Sequence, residues 1–383
     1  MNFEFATAGR IVFGRPLVEI GPELERFEGP VLLVTGRNPS RSAILRTLLE
    51  EQRKDSHPLT VAGEPSLATA RDGVAFARDS GCRSVVAVGG GSVLDAAKAI
   101  AALMAHPGDP LDYVEVIGGG QALTQPSAPL LAIPTTAGTG SEVTRNAVLT
   151  SPEKRVKVSL RSPHMLPRLA WIDPRLCLSL SPERTAYTGL DALSQAMEAF
   201  VCHTPNPLTD PLCRDALERG ARALRRVYDA GDDLEARREM SYVSLVGGLA
   251  LANARLGAVH GFAAPLGGMF TASHGALCAA LLAPVMKVNI AALRRNRSDH
   301  PGLARYAEVA RRLTGRADVQ PEDGTMWIEA LCRHMQIPSL RAFGVTEADF
   351  PSVSQKAAAA SSMKGNPIVL SDDERDQILR LAI

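Results

Sequence analysis

Three groups of residues have the types and spacing that chemistry needs. The first is a turn inside SVVAVGGGSVLDAAKAI (84–100), where Gly89, Gly90, Gly91 and Ser92 join an apolar strand to a helix-forming run. Such a turn lets backbone N–H groups approach an anion with no Cβ in the way, and the helix behind it adds the positive end of its dipole. The spacing is neither G-x-G-x-x-G nor a P-loop. The residues alone therefore leave a phosphate cradle and a ligand-free tight turn both open. The second group is the polar loop Thr135-Thr136-Ala137-Gly138-Thr139-Gly140-Ser141, which follows another apolar run. The third is Asp191, Gln195 and Glu198, on one helical face by i, i+4, i+7 spacing, with His260 and His274 further along. One Asp with two His is a reasonable divalent-metal set. A capping or hydrogen-bonding role for each His is the competing reading. His57, His106, His164, His203, His300 and His334 show no partner pattern and read as surface or structural.

Elements must hold these groups in place. The first half alternates short apolar strands (30–35, 59–62, 84–88 and 129–134) with helices (40–52 and 66–80). Strand–helix alternation implies a parallel sheet covered on both faces, with ligands at the carboxyl ends of its strands. Gly36-Arg37-Asn38, the glycine turn and the threonine loop all follow strands and could wall one site. After Asp173-Pro174 the pattern becomes long and amphipathic, and Ser181-Pro182-Glu183-Arg184 reads as a helix start. The expected organisation is an α/β domain over 1–180 and an all-helical domain over 181–383. Within the second, His260 is expected to end a helix, a loop to run from Pro265 to Ser273, and His274 to open the next helix. The opening MNFEFATAGRIVFG reads as an edge hairpin rather than a signal peptide.

Composition narrows the function classes. The net charge is +1 with no basic face, and aromatic residues are only 4%, which argues against nucleic acid and membrane surfaces. No apolar run of about 18 residues escapes a charge or breaker, so no membrane-spanning helix is expected. Six scattered cysteines form no C-x-x-C pair and read as reduced thiols of a cytoplasmic protein.

In this order and separation, GGGSVLDAAK, PTTAGTGSEVT, TGLDAL and VHGFAAPLGGMFTASHG resemble the iron-containing (group III) alcohol dehydrogenase family across the whole chain. The resemblance implies the dehydroquinate synthase-like fold: an N-terminal α/β dinucleotide-binding domain and an all-α metal- and substrate-binding domain. It implies that Gly90, Gly91 and Ser92 hold the pyrophosphate, with Asp95 supporting the turn. Thr135, Thr136, Thr139 and Ser141 would continue the cofactor wall, with Asn146 and Lys157 at the nicotinamide end. Asp191, His260 and His274 match three metal ligands. Two positions depart from the family pattern. The fourth ligand, a His four residues after the Asp, is Gln195, and a His beside the nicotinamide is Ala264. Gln195 is expected to coordinate through its amide oxygen, a poorer ligand than imidazole, with zinc favoured over iron.

The function so implied is NAD(P)-dependent hydride transfer between a small alcohol and its aldehyde or ketone, with Asp191, His260 and His274 as the catalytic metal set. One alternative is a metal-free, maleylacetate reductase-like enzyme acting on a keto acid. Others are a dehydroquinate synthase-like lyase and a silent cofactor binder. In NAD-preferring folds an acid after the second strand bonds the ribose hydroxyl, whereas this chain has Gly36-Arg37-Asn38, which favours NADPH. A homodimer is expected, paired through the N-terminal edge.

Overall fold

The computed structural model describes residues 2–296 and 299–383. The chain packs as two compact units. One comprises Thr7–Thr136 and Gly140–Cys177; the other comprises Leu178–Ile383, Ala137–Thr139 and the N-terminal segment up to Ala6.

The first unit contains β1 (Ile11–Phe13), β2 (Val31–Thr35), β3 (Ser56–Thr60), β4 (Ser84–Gly89), β5 (Leu130–Pro134), β6 (Asn146–Ser151), β7 (Val156–Arg161) and β8 (Leu169–Ile172). Six strands form one all-parallel sheet in the order β1-β8-β5-β4-β2-β3. β6 and β7 pair as a separate antiparallel hairpin. Its helices are α1 (Gly21–Leu24), α2 (Ala43–Glu51), α3 (Leu67–Asp79), α4 (Gly91–Leu103) and α5 (Pro110–Tyr113). The central strands read as unbroken apolar runs because both faces are covered. On β2, Leu32 and Val34 join a core with α3 and α4 residues. Val31 and Leu33 join a second core with Leu45, Leu49 and Trp171.

The N-terminal hairpin does not form. β1 is three residues long and pairs parallel with β8, Ile11 opposite Ala170. The residues before it are held by other partners. Asn206 Nδ2 donates to the Glu4 carbonyl (3.1 Å), and Asn253 Nδ2 donates to the Ala6 carbonyl (2.8 Å). Gly9 lies where a Cβ would come within 2.9 Å of the Arg168 carbonyl oxygen, so that position has room only for glycine. The apolar alternation was real, but its partner strand lies far along the chain.

The second unit is helical: α6 (Pro182–Val201), α7 (Thr209–Asp229), α8 (Leu234–Asn253), α9 (Ala258–Met269), α10 (His274–Asn296), α11 (Pro301–Thr314), α12 (Pro321–His334), α13 (Phe350–Ala359) and α14 (Asp372–Ala382). α6 starts where Ser181 caps the Arg184 N–H, with Pro182 in the first turn. It packs against α7, α8 and α10, which accounts for its burial. Among the described residues only α10 is, by itself, long and apolar enough to cross a membrane, and 78% of its apolar window is buried core. α8 and α9 meet at a 94° bend. Gly257 occupies that bend, where a Cβ would come within 2.9 Å of Glu198 Oε1 and 3.0 Å of Asn366 Oδ1. His260 therefore does not end a helix; it lies in the first turn of α9. The expected loop from Pro265 is helical as far as Met269.

Candidate functional site

The nucleotide-type features gather at one edge of the parallel sheet. The chain runs from β2 to β3 on one side and returns to β4 on the other, so strand order reverses between β2 and β4. Ligands of open α/β sheets bind at such a switch point, beyond the carboxyl ends of the strands. Gly36 follows β2, Gly90 follows β4 and Thr135 follows β5. In the sheet, Thr35 lies opposite Val88 and Gly89 opposite Pro134. α4 opens with Gly90 as its N-cap and has no side-chain cap. Its first turn thus faces the sheet edge with the dipole's positive end and no competing oxygen. A Cβ on Gly89 would lie 2.5 Å from Val93 Cβ, so this glycine is set by the close return of the helix. A Cβ on Gly90 would lie 3.2 Å from Thr136 Cγ2, which places the glycine turn against the threonine loop.

Asp95 braces this turn. Its carboxylate accepts from Ser141 Oγ (2.5 Å) and the Val148 N–H (3.0 Å), and pairs with Lys98 Nζ at 3.1 Å. Lys98 is buried and also donates to Thr144 Oγ1 (2.8 Å) and the Asn146 carbonyl. Burial lowers the Lys98 ammonium and pushes the nearby Glu142 carboxyl up to about 7. Lys157 pairs with Glu64 at 2.7 Å. In the loop after β2, Asn38 accepts from Ser40 N and Oγ, Arg37 is exposed, and Arg41 Nη1 donates to Thr135 Oγ1 at 3.2 Å. Thr139 belongs to the helical unit rather than to the sheet.

The second group lies wholly in the helical unit. Asp191 projects from the middle of α6 and is 1% exposed. Its Oδ1 is 3.3 Å from His260 Nε2 and 3.7 Å from His274 Nε2, and it has no hydrogen-bond partner. His260 is oriented from behind. Glu198, two turns beyond Asp191 on α6, accepts from His260 Nδ1 (2.7 Å) and from the Val259 N–H (2.6 Å). With the proton on Nδ1, the Nε2 lone pair faces a carboxylate oxygen. That arrangement is repulsive unless a cation or second proton lies between them. Burial alone would lower the His260 imidazole, but Cys278, Asp191 and Glu198 raise it well above its ordinary value. Burial alone would likewise raise Asp191, yet His274, His260 and Gln195 hold it below the usual carboxylate range.

His274 is the first residue of α10, and Cys278 follows one turn later on the same face. Cys278 Sγ is 3.5 Å from His274 Nε2 and 3.9 Å from His260 Nε2, and burial pushes its thiol up to about 12. One ligand atom from each of Asp191, His260, His274 and Cys278 lies within 4.8 Å of the others. An unpartnered buried carboxylate oxygen facing two imidazole nitrogens fits a divalent ion. Gln195 was the expected fourth ligand. Its Nε2 donates to the Gly138 carbonyl (3.2 Å), while its Oε1 is buried, without a hydrogen-bond partner, against Gly247. Ala264 lies one turn after His260 on α9.

Sequence reasoning passed over Cys278, although its i+4 spacing from His274 was available as a signal. It also gave Glu198 no role. The other histidines that make contacts make structural ones. Buried His106 bonds the Ala102 carbonyl and the Thr124 and Gln125 N–H groups; His300 caps α11; His334 pairs with Asp229.

One chain thus carries a parallel sheet of dinucleotide-binding type and a helical unit with an Asp/His group that could hold a metal ion. The chain belongs to the iron-containing alcohol dehydrogenase family. That family's models match residues 8–174 and, for its C-terminal part, 185–383. The chain is 37% identical to a 1,3-propanediol dehydrogenase of Klebsiella pneumoniae, over 84% of this chain and 81% of that protein. It is 36% identical to alcohol dehydrogenase 4 of Schizosaccharomyces pombe, over 88% and 78%. A crystal structure of a 1,3-propanediol oxidoreductase superposes over the full length of both chains, with a TM-score of 0.92 at 32% identity.

Proposed function

We propose that this protein catalyses reversible hydride transfer between a nicotinamide cofactor and a small alcohol or its aldehyde or ketone, assisted by a divalent metal. The observation that carries this reading is the convergence of Asp191, His260 and His274 around one buried, unpartnered carboxylate oxygen. A bound ion supplies Lewis acidity toward the substrate oxygen. The protein's part is to hold the ligands rigid, with Glu198 fixing the tautomer and direction of His260. His274, whose side chain is 34% exposed against 2% for Asp191 and 7% for His260, marks the side from which substrate approaches. Ala264 offers no titratable atom, so the proton comes from water, the cofactor ribose or a relay reaching His274. Relatives named for 1,3-propanediol, choline and 4-hydroxybutyrate favour a small substrate with a primary hydroxyl. The test is NAD(P)H oxidation over a panel of aldehydes and keto acids, with metal analysis of the same preparation. Full turnover of a keto acid by metal-free protein would favour the maleylacetate reductase-like alternative. Cofactor binding without turnover of any substrate would favour the silent one.

NADPH is expected to be used in preference to NADH. No acid follows β2, and Gly36, exposed Arg37 and Arg41 leave positive charge where a 2′-phosphate would lie. The kcat/KM ratio of the two cofactors checks this in wild type and in Gly36→Asp, whose carboxylate should move the ratio toward NADH. A wild-type preference for NADH of about tenfold or more, ~1.4 kcal/mol, overturns it.

A homodimer is also proposed. β1 is the terminal strand of the sheet order, and terminal strands tend to be covered. Light scattering at micromolar concentration should give twice the chain mass, and a monomer would count against the proposal.

A further inference from the structure

The metal set of this chain is open at one place. The residue type expected for the fourth ligand is replaced by Gln195, and an unanticipated sulfur stands beside the other three. We infer that Cys278, and not Gln195, is the fourth metal ligand, and that its sulfur makes the site select zinc over iron. This rests on the metal-assisted reading above and specifies the donor set of that same site.

Distances carry the assignment. A tetrahedral ion with metal–nitrogen and metal–oxygen bonds of about 2.0 Å and a metal–sulfur bond of about 2.3 Å sets its ligand atoms about 3.3 Å apart for N and O and about 3.5 Å apart for N and S. The measured N–O separations are 3.3 and 3.7 Å, and the N–S separations are 3.5 and 3.9 Å. In each pair one value matches and the other is about 0.4 Å longer. Cys278 is fully buried, and its single thiol proton can serve only one of the two imidazole nitrogens that face it. One cation satisfies both nitrogens, the sulfur and the unpartnered Asp191 oxygen together. Binding would displace the thiol proton to solvent, as for any coordinated thiol.

Gln195 is placed for another task. Its amide nitrogen donates to the Gly138 carbonyl, so a flipped amide would set two oxygens against each other. Its amide oxygen lies against Gly247. Gln195 is thus held to the backbone of the 137–139 segment through its amide nitrogen. Exchanging an imidazole for a thiolate softens the donor set, which favours zinc or cobalt over iron(II).

The test uses the full-length protein reconstituted separately with zinc and cobalt(II). X-ray absorption of the zinc form should show one sulfur at about 2.3 Å beside nitrogen and oxygen at about 2.0 Å. The cobalt form should show an intense near-ultraviolet sulfur-to-cobalt charge-transfer band. That band should persist in Gln195→Ala and vanish in Cys278→Ser. Equilibrium competition under anaerobic conditions should favour zinc over iron(II), by a margin at least about tenfold smaller in Cys278→Ser. A zinc shell of nitrogen and oxygen only, a band retained in Cys278→Ser, or an unchanged metal preference would overturn the assignment and leave the metal-assisted reading standing. Failure of the wild type to bind either metal would overturn both. Should Cys278→Ser not fold, the absorption data on wild type decide alone.

Discussion

Replacing His260 by alanine is expected to strip the metal and the activity together. The imidazole contributes the Nε2 that lies 3.3 Å from Asp191 Oδ1, and its loss leaves the Asp191 carboxylate buried with one fewer partner. It also removes the Nδ1 donor to Glu198, a carboxylate that is only 5% exposed. An unsatisfied buried acceptor costs about 1–3 kcal/mol, so thermal stability should fall as well. Metal content after reconstitution should drop below about a tenth of an equivalent. Turnover should drop at least about a hundredfold, ~2.7 kcal/mol of lost transition-state stabilisation. His274→Ala should lose metal and activity in the same way without the Glu198 penalty, because Glu198 keeps both His260 Nδ1 and the Val259 N–H as donors. Metal-depleted His260→Ala that keeps wild-type turnover would remove the ion from the mechanism.

Gly91→Val should weaken cofactor binding at least about tenfold, ~1.4 kcal/mol, while the protein stays folded. Gly91 is the first residue of α4, directly after the uncapped Gly90, where an anion would approach the backbone N–H groups. A branched side chain there blocks the approach. Gly89 would be a poor substitute for this test. Its Cβ would strike Val93, so any loss could be ascribed to packing between β4 and α4. The measurement is fluorescence titration with NADPH, paired with a melting curve. Unchanged affinity in a variant with wild-type melting would leave the turn as a structural one only.

The sequence pattern was most readable where local rules and burial agree. β2, β4 and β5 are buried on both faces, so each had to be an unbroken apolar run, and each was found within a residue or two. The Ser181 cap and Pro182 announced α6, and the same i, i+4, i+7 spacing put Asp191, Gln195 and Glu198 on one face of it. Reading failed where the partner was distant or the pattern mixed. β1 was paired in expectation with its own neighbour, yet its hydrogen bonds go to β8. β6 and β7 were not anticipated. Their alternating burial and separate pairing leave no continuous apolar run to notice. A run rich in small residues also continues through the 94° bend, and that concealed the fact that His260 begins a helix.

By itself, then, the sequence made legible the strands covered on both faces, the start of α6 and the shared face of Asp191, Gln195 and Glu198, because these follow from burial, capping and side-chain type within one segment. The tertiary structure alone decided which atoms meet. Asp191, His260 and His274–Cys278 lie on three different helices, and their ligand atoms converge only when α6, α9 and α10 pack. That packing turns the Gln195 amide toward Gly138 and brings the Cys278 sulfur beside two imidazoles. Spacing along one helix cannot distinguish those outcomes, because they depend on rotamers fixed by neighbours remote in the chain.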